Sequence, residues 1–297
     1  MRYKWRRYFL YYLAVPLIWI LSLLPRAMGM RVGSAAGRLA FWLLPRYRRI
    51  TVDNLRSAFG STKSTREIQD IAVRVFENLG KNAIEIINLP KLNKETIGRL
   101  VTIENRERLD AALENGRGVI IVTGHIGNWE LLSVALRLTG YRGAVIGRKI
   151  YFDKFDTIIN RLRRVHDVQV IYRDESPRRV LKLLRENCVI GIVADQDVDS
   201  VEGTFVNFFG TSAFTPIGPV QLARVSGAQL IPCCIIRDNG RHRIVIEEPI
   251  AIEKYADDES AIRQYTQQWS AVLERAIRSY PDQWVWMHRR WKTRPHS

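Results

Sequence analysis

Gly118-Val-Ile-Ile-Val-Thr123 runs straight into Gly124-His-Ile-Gly-Asn-Trp-Glu130. The first part is a β-branched run without polar alternation, the pattern of a strand buried on both faces. The second part stops it. Gly127 permits a tight turn, and Asn128 is a natural cap for a helix that begins at Trp129. Glu130 then falls in the opening turn, where the helix dipole favours a carboxylate. In regular helix His125 and Glu130 would diverge by about 140°, at about 100° per residue. A strand-turn-helix geometry instead lets the carboxylate hold one imidazole nitrogen while the other faces substrate. Such an imidazole takes a proton from a hydroxyl near neutral pH. No serine or cysteine lies nearby as a covalent nucleophile, so the expected chemistry is direct attack by a substrate hydroxyl. The competing reading is a structural histidine at a strand end.

Outward from this stretch the pattern repeats. Gly143-Ala-Val-Ile-Gly147, Val168-Gln-Val-Ile-Tyr172, Val189-Ile-Gly-Ile-Val193 and Leu230-Ile-Pro-Cys-Cys-Ile-Ile236 read as further strands. Helices are predicted near 104–115, 130–139, 153–166, 176–187 and 216–227, with Pro216 suited to a first helical position. Arg243-Ile-Val-Ile-Glu247 is expected as an edge strand, and a helix near 258–279 precedes a Trp-rich tail. Residues 51–90 read as helices. Phe59-Gly60 ends one, Thr65 caps the next, and Ile71, Val75, Phe76 and Leu79 form an apolar stripe. The expected fold is α/β: a central mixed, mostly parallel sheet flanked by helices, over residues 51–297. In such sheets ligands bind beyond the carboxyl ends of the strands.

The 297 residues carry 46 Lys and Arg against 30 Asp and Glu, a formal charge of +16. A 46% hydrophobic share excludes a disordered tail protein or a fibre. The three cysteines, Cys188, Cys233 and Cys234, sit in apolar runs and read as buried small hydrophobes rather than a disulfide or zinc framework. The charge points to nucleic acid, an anionic membrane or an acidic partner. No groove-reading or base-stacking module is recognisable, so no nucleic-acid role is expected. Arg2, Lys4, Arg6 and Arg7 instead precede an uncharged apolar run, Tyr8 to Leu24, interrupted by Pro16 and crowded with aromatics. A helical span needs about 20 such residues, so the run is borderline for crossing a bilayer. Arg38, Phe41-Trp42 and Arg46-Tyr-Arg-Arg49 continue the mixture of cations and aromatics that snorkels into anionic head groups. Residues 1–50 are therefore expected to be a membrane anchor, spanning or interfacial. A cleaved signal peptide lacks a small-x-small site, and a buried core helix is the remaining alternative.

The His125-to-Glu130 block resembles the lysophospholipid acyltransferase superfamily, whose signature is His-x-x-x-x-Asp or Glu. Its glutamate form resembles the bacterial lipid A biosynthesis (late) acyltransferases. The resemblance extends through Asn78-Leu-Gly-Lys81, Gly116-Arg-Gly-Val119, Asp195-Gln-Asp197, Gly203-Thr-Phe-Val-Asn-Phe-Phe-Gly210, Leu222-Ala-Arg-Val-Ser-Gly-Ala228 and Gln283-Trp-Val-Trp-Met-His-Arg-Arg290. It implies transfer of a lauroyl- or myristoyl-type chain from acyl carrier protein, or acyl-CoA, to a hydroxyl of a lipid A precursor. It implies no metal or redox cofactor, and a place on the cytoplasmic face of a bacterial inner membrane. Other glycolipids of the phosphatidylinositol mannoside type, or a lysophospholipid, are the rival acceptors. His125 would be the general base, Glu130 its orienter, and Arg163, or else Arg164, the cation facing the oxyanion.

Other residues keep two readings. Asp195, Gln196 and Asp197 either bond within their loop or contact the acceptor sugar; a metal role lacks a third ligand. Phe208, Phe209 and Gly210 either line an acyl groove or form a packed hairpin. Arg148, with Lys149 and Arg173, meets phosphorylated head groups or the acidic face of the carrier protein. Trp284, Trp286 and Trp291 pack as a C-terminal helix or touch the membrane.

Overall fold

The computed structural model describes residues 4–149, 153–175, 177–253 and 259–295. Arg2 and the expected helix starts at 176 and 258 lie outside these residues, as do the side chains of 4–7, 9 and 10. The order of the main sheet is β1-β9-β8-β2-β5-β3-β4, from strands β1 (Val101–Glu104), β2 (Val119–Thr123), β3 (Gly143–Gly147), β4 (Gln169–Tyr172), β5 (Val189–Val193), β8 (Gln229–Asp238) and β9 (Arg241–Ile246). All neighbours pair parallel except β8 with β9. A separate antiparallel hairpin joins β6 (Gly203–Phe208) to β7 (Thr211–Pro216).

The sheet is mixed and mostly parallel, and β2 lies at its centre. Ile120 and Val122 enter one apolar cluster and Val119 and Ile121 the other, so the strand is buried on both faces. One face is covered by α5 (Lys94–Leu100), α6 (Arg106–Glu114) and α7 (Trp129–Leu138). The opposite cluster draws on α3 (Pro45–Phe59), α4 (Thr65–Asn88), α9 (Pro177–Arg185), α10 (Gly218–Ser226), α11 (Glu259–Ser279) and the tail. Between β3 and β4 runs α8 (Asp153–Arg164).

At the N-terminus, α1 (Lys4–Leu23) continues through Pro16, and α2 (Arg26–Leu43) lies along α4. The two axes meet closely because glycines face each other: a Cβ on Gly37 would sit 2.1 Å from the Phe76 carbonyl, and one on Gly80 2.0 Å from that of Gly33. Among the described residues no helix is long and apolar enough to cross a membrane.

Several local expectations change. Ser64, not Thr65, caps α4, in a capping box with Glu67. Pro216 ends β7 rather than starting a helix; α10 begins at Gly218 with Pro219 in its first turn. The strand at 241–246 is interior, because the short strand β1 pairs on its outer side. The Trp-rich tail is not a helix but an irregular strap. Trp284 and Trp286 are fully buried in it. The three cysteines are free and buried.

Candidate active site

Two neighbouring strands deliver the central pair of side chains. Thr123 of β2 is in register with Val193 of β5, and the ladder runs on through the Ala194 N–H to the Thr123 carbonyl, 3.1 Å. Two residues beyond the paired positions stand His125 and Asp195. The His125 Nδ1 lies 2.6 Å from Asp195 Oδ1, and the His125 backbone N–H donates to Oδ2 at 2.7 Å. The indole N–H of Trp284 donates to the same Oδ2 at 2.7 Å. Burial alone would raise the Asp195 carboxyl, but the charge and hydrogen bonds of His125 hold it well below the usual carboxylate range. An ionised Asp195 accepts, so Nδ1 carries a proton, and in the neutral imidazole the lone pair is on Nε2. The His125 side chain is 22% exposed, so that lone pair is accessible.

This corrects one expectation. The carboxylate that orients His125 is Asp195, not Glu130. Both Glu130 oxygens are occupied by Arg163, whose Nε and Nη2 donate at 2.7 and 2.5 Å. The reason is the helix start: Asn128 does cap α7, accepting from the Leu131 N–H at 3.2 Å, and Glu130 in its first turn reaches toward α8. Burial works against the Arg163 charge, yet Glu130 raises its pKa, so the guanidinium stays ionised. Those two bonds to Glu130 and a weaker one to Asn160 at 3.3 Å use three of its five N–H groups, which leaves two for another acceptor.

A second polar group holds the loop from α4. Asn82 donates to the Gly127 carbonyl at 2.6 Å, and Asn128 donates to Glu85 Oε2 at 2.9 Å. Arg237 spans Glu85 at 2.7 and 2.8 Å, and the His242 Nε2 lies 2.9 Å from Glu85 Oε1. Burial opposes ionisation of Glu85, but His242 and Arg237 hold its carboxyl far below the ordinary range. Gly127 has φ +58°, and a Cβ there would stand 1.9 Å from the Ile235 carbonyl. Only glycine fits this turn.

Behind Trp129, the neighbour of the imidazole, lies a mostly apolar crevice. Trp129 stacks edge-on against His125, ring centres 4.9 Å apart, and its ring also lines a narrow cavity of about 60 Å³ between α7 and the sheet. Leu132, Leu136, Ala144, Val145 and Val193 continue its walls.

The remaining predicted residues fall elsewhere. Phe208 and Phe209 do not line this crevice: they are 1% and 6% exposed and pack on Trp284 and Trp286. Gly210 makes the hairpin turn at φ +75°. Asp197 accepts from the Thr293 N–H and hydroxyl at 2.6 and 2.7 Å, so it clasps the tail instead of facing a sugar. Gln196 is half-buried beside it, and Arg148, Arg164 and Arg173 are exposed. Among the described residues no cluster of His, Cys, Asp and Glu is placed to hold a metal. Sequence reasoning missed Trp284, Asn82 and Glu85 as supports of the loop. For Asn82 and Glu85 the signal was faint: polar residues on the buried, otherwise apolar face of α4.

Comparison with known proteins decides the family. The family described as bacterial lipid A biosynthesis acyltransferase matches residues 1–293. The chain belongs to that family. It is 27% identical over 298 residues to a lipid A biosynthesis lauroyltransferase of Escherichia coli (strain K12), covering 98% of this chain and 94% of that protein. A lipid A biosynthesis palmitoleoyltransferase of the same organism is 24% identical, covering 97% and 93%. A phosphatidylinositol mannoside acyltransferase of Mycobacterium tuberculosis (strain CDC 1551 / Oshkosh) is 27% identical over 234 residues, covering 72% of this chain and 68% of that one. This family member is thus an acyltransferase.

Proposed function

We propose that this acyltransferase moves a fatty acyl chain from an acyl carrier protein thioester, or acyl-CoA, to a hydroxyl of a lipid A precursor, with His125 as general base. The observation that carries this reading is a part-exposed imidazole, held by Asp195 and set against the Trp129 that lines an apolar crevice. The acceptor hydroxyl gives its proton to Nε2 as its oxygen attacks the thioester carbonyl. The carbonyl becomes a tetrahedral oxyanion, for which the free N–H groups of Arg163 are the donors. Collapse expels the thiolate, which takes the proton back from His125. A thioester is already activated, so the steps need no metal or redox cofactor. Trp129 and the apolar side chains behind it receive the carbonyl end of the acyl chain, in the role first expected of Phe208 and Phe209. A lauroyl-type chain is supported by the lauroyltransferase relative.

Residues 1–50 serve as an interfacial anchor to anionic lipids at the cytoplasmic face of the inner membrane, with 51–297 as the catalytic domain. Residues 1–49 hold ten Lys and Arg and no acid. Most of the exposed large apolar side chains described fall between residues 8 and 47, including Trp19 and Trp42 at 65% and 63% exposure. That combination suits helices lying in the head-group layer.

A second acceptor class, a phosphatidylinositol mannoside, is favoured by the mycobacterial relative. Purified protein incubated with isotope-labelled acyl carrier thioester and a panel of lipid acceptors separates the readings by product mass. Acylation of the lipid A precursor is expected. Product on the mannoside alone selects the second reading, and no product on any lipid contradicts both.

A further inference from the structure

The C-terminal strap enters the site from a great distance in sequence. Its backbone pairs with the loop that carries the base: the Val285 N–H donates to the His125 carbonyl at 3.0 Å, and the Gly127 N–H to that of Gln283 at 2.9 Å. Ile126 and Trp284 face each other as an antiparallel bridge. The strap is in turn fixed from outside. Asn54 donates to the carbonyls of Trp286 and His288, both at 2.8 Å, and Arg290 bonds Thr215 at 2.5 Å. Between these anchors the Trp284 ring is fully buried, edge-on to Trp286 with centres 4.6 Å apart.

Packing alone would be served by any large aromatic side chain. The indole N–H does something more: it donates to the Asp195 oxygen that does not face the imidazole ring. With the His125 backbone N–H on the same oxygen, the carboxylate cannot turn without breaking two charge-assisted bonds. The other oxygen is thereby aimed at Nδ1.

We propose that Trp284 is a positioning residue, whose N–H fixes the Asp195 carboxylate and through it the orientation and tautomer of His125. The inference rests on His125 being the base. It places part of the catalytic geometry in a segment 159 positions downstream of the residue it serves, and it explains why the strap is built so rigidly. The bond costs nothing at the moment of reaction because the packing has already set it.

Replacement of Trp284 by 3-benzothienylalanine exchanges N–H for sulfur and keeps the ring shape. In the full-length protein the expected result is a kcat lower by roughly ten- to a hundredfold with KM unchanged. The His125 Nδ1 proton, followed by NMR in histidine-labelled protein, is expected to shift or broaden. A variant that melts like the wild type and retains both kcat and that resonance overturns the proposal. Where the sulfur analogue folds poorly, Trp284→Phe is compared with Trp284→His. Phenylalanine keeps more of the packing, but only the histidine retains a donor, so its kcat should still exceed that of the phenylalanine variant by about tenfold or more. Equal losses overturn the proposal. The NMR arm needs no substrate. A wild type that transfers no acyl group, but whose His125 proton answers to position 284, fails the catalytic reading while upholding the positioning role.

Discussion

Asp195→Asn is the most searching substitution, because the structure dictates how the amide must sit. Three donors converge on Asp195: the His125 ring at 2.6 Å on one oxygen, and the His125 backbone N–H and Trp284 indole, both at 2.7 Å, on the other. An asparagine has one acceptor oxygen. If that oxygen faces the ring, its NH2 meets two buried N–H groups, and each unsatisfied donor costs about 1–3 kcal/mol. If it faces the two N–H groups, all are satisfied, but the NH2 points at Nδ1. The second arrangement wins, and it forces the His125 proton onto Nε2. The imidazole then has no lone pair to offer the acceptor hydroxyl. General-base catalysis contributes roughly 10²–10⁴-fold, so kcat should fall by that factor, about 3–5 kcal/mol of barrier. KM should change little, since neither atom grips the acyl chain. The assay is thiol release from acyl thioester in the presence of lipid acceptor, normalised to folded protein. A folded asparagine variant with kcat within about threefold of wild type refutes the relay, since tautomer control would then contribute almost nothing.

Other consequences follow from the same contacts. Glu85→Gln removes the charge facing buried Arg237 and should cost about 3–5 kcal/mol in urea unfolding; a loss below about 1 kcal/mol would show that the pair is not a structural keystone. The pH dependence has a definite sign. Burial pushes His288 down from 6.5 to about 4, so between those values the unfolded chain binds more protons and stability declines as pH falls. Asp195 and Glu85, both depressed in the fold, remove further stability only below the ordinary carboxylate range of about 4. Unfolding free energy measured across this range should decrease on acidification, and a flat profile between about pH 6.5 and 4 contradicts the His288 assignment. Trp19→Ser combined with Trp42→Ser should weaken sedimentation with anionic phospholipid vesicles while preserving turnover in detergent; undiminished vesicle binding would place the anchor elsewhere.

Much of the fold is written in local patterns. The runs at 119–123 and 189–193 announce strands buried on both faces, and Asn128 announces a helix start, because each signal depends on a few adjacent residues. The site was legible in composition but not in pairing. His125 and Asp195 meet because β2 and β5 are neighbours in register, which a spacing along one chain does not contain. Glu130, five residues from His125, looked the natural partner; the helix it opens carries it to Arg163. Phe208 and Phe209 show the same limit. An aromatic pair bounded by glycines fits a groove wall and a core equally well, and only the strap at 284–291 decides for the core. The strand at 101–104 escaped notice since four residues hold too little periodicity, and with it went the interior position of the strand at 241–246.

In the proposed reaction His125 takes the proton of the attacking hydroxyl. That role is tested most directly by product mass from His125→Ala beside wild type, each given one acyl thioester and the lipid A precursor. Wild type should add one acyl mass to the lipid and free one thiol per product, while the alanine variant, folded and bound to vesicles, should do neither. Acyl-lipid formed by that variant at the wild-type rate would contradict the role.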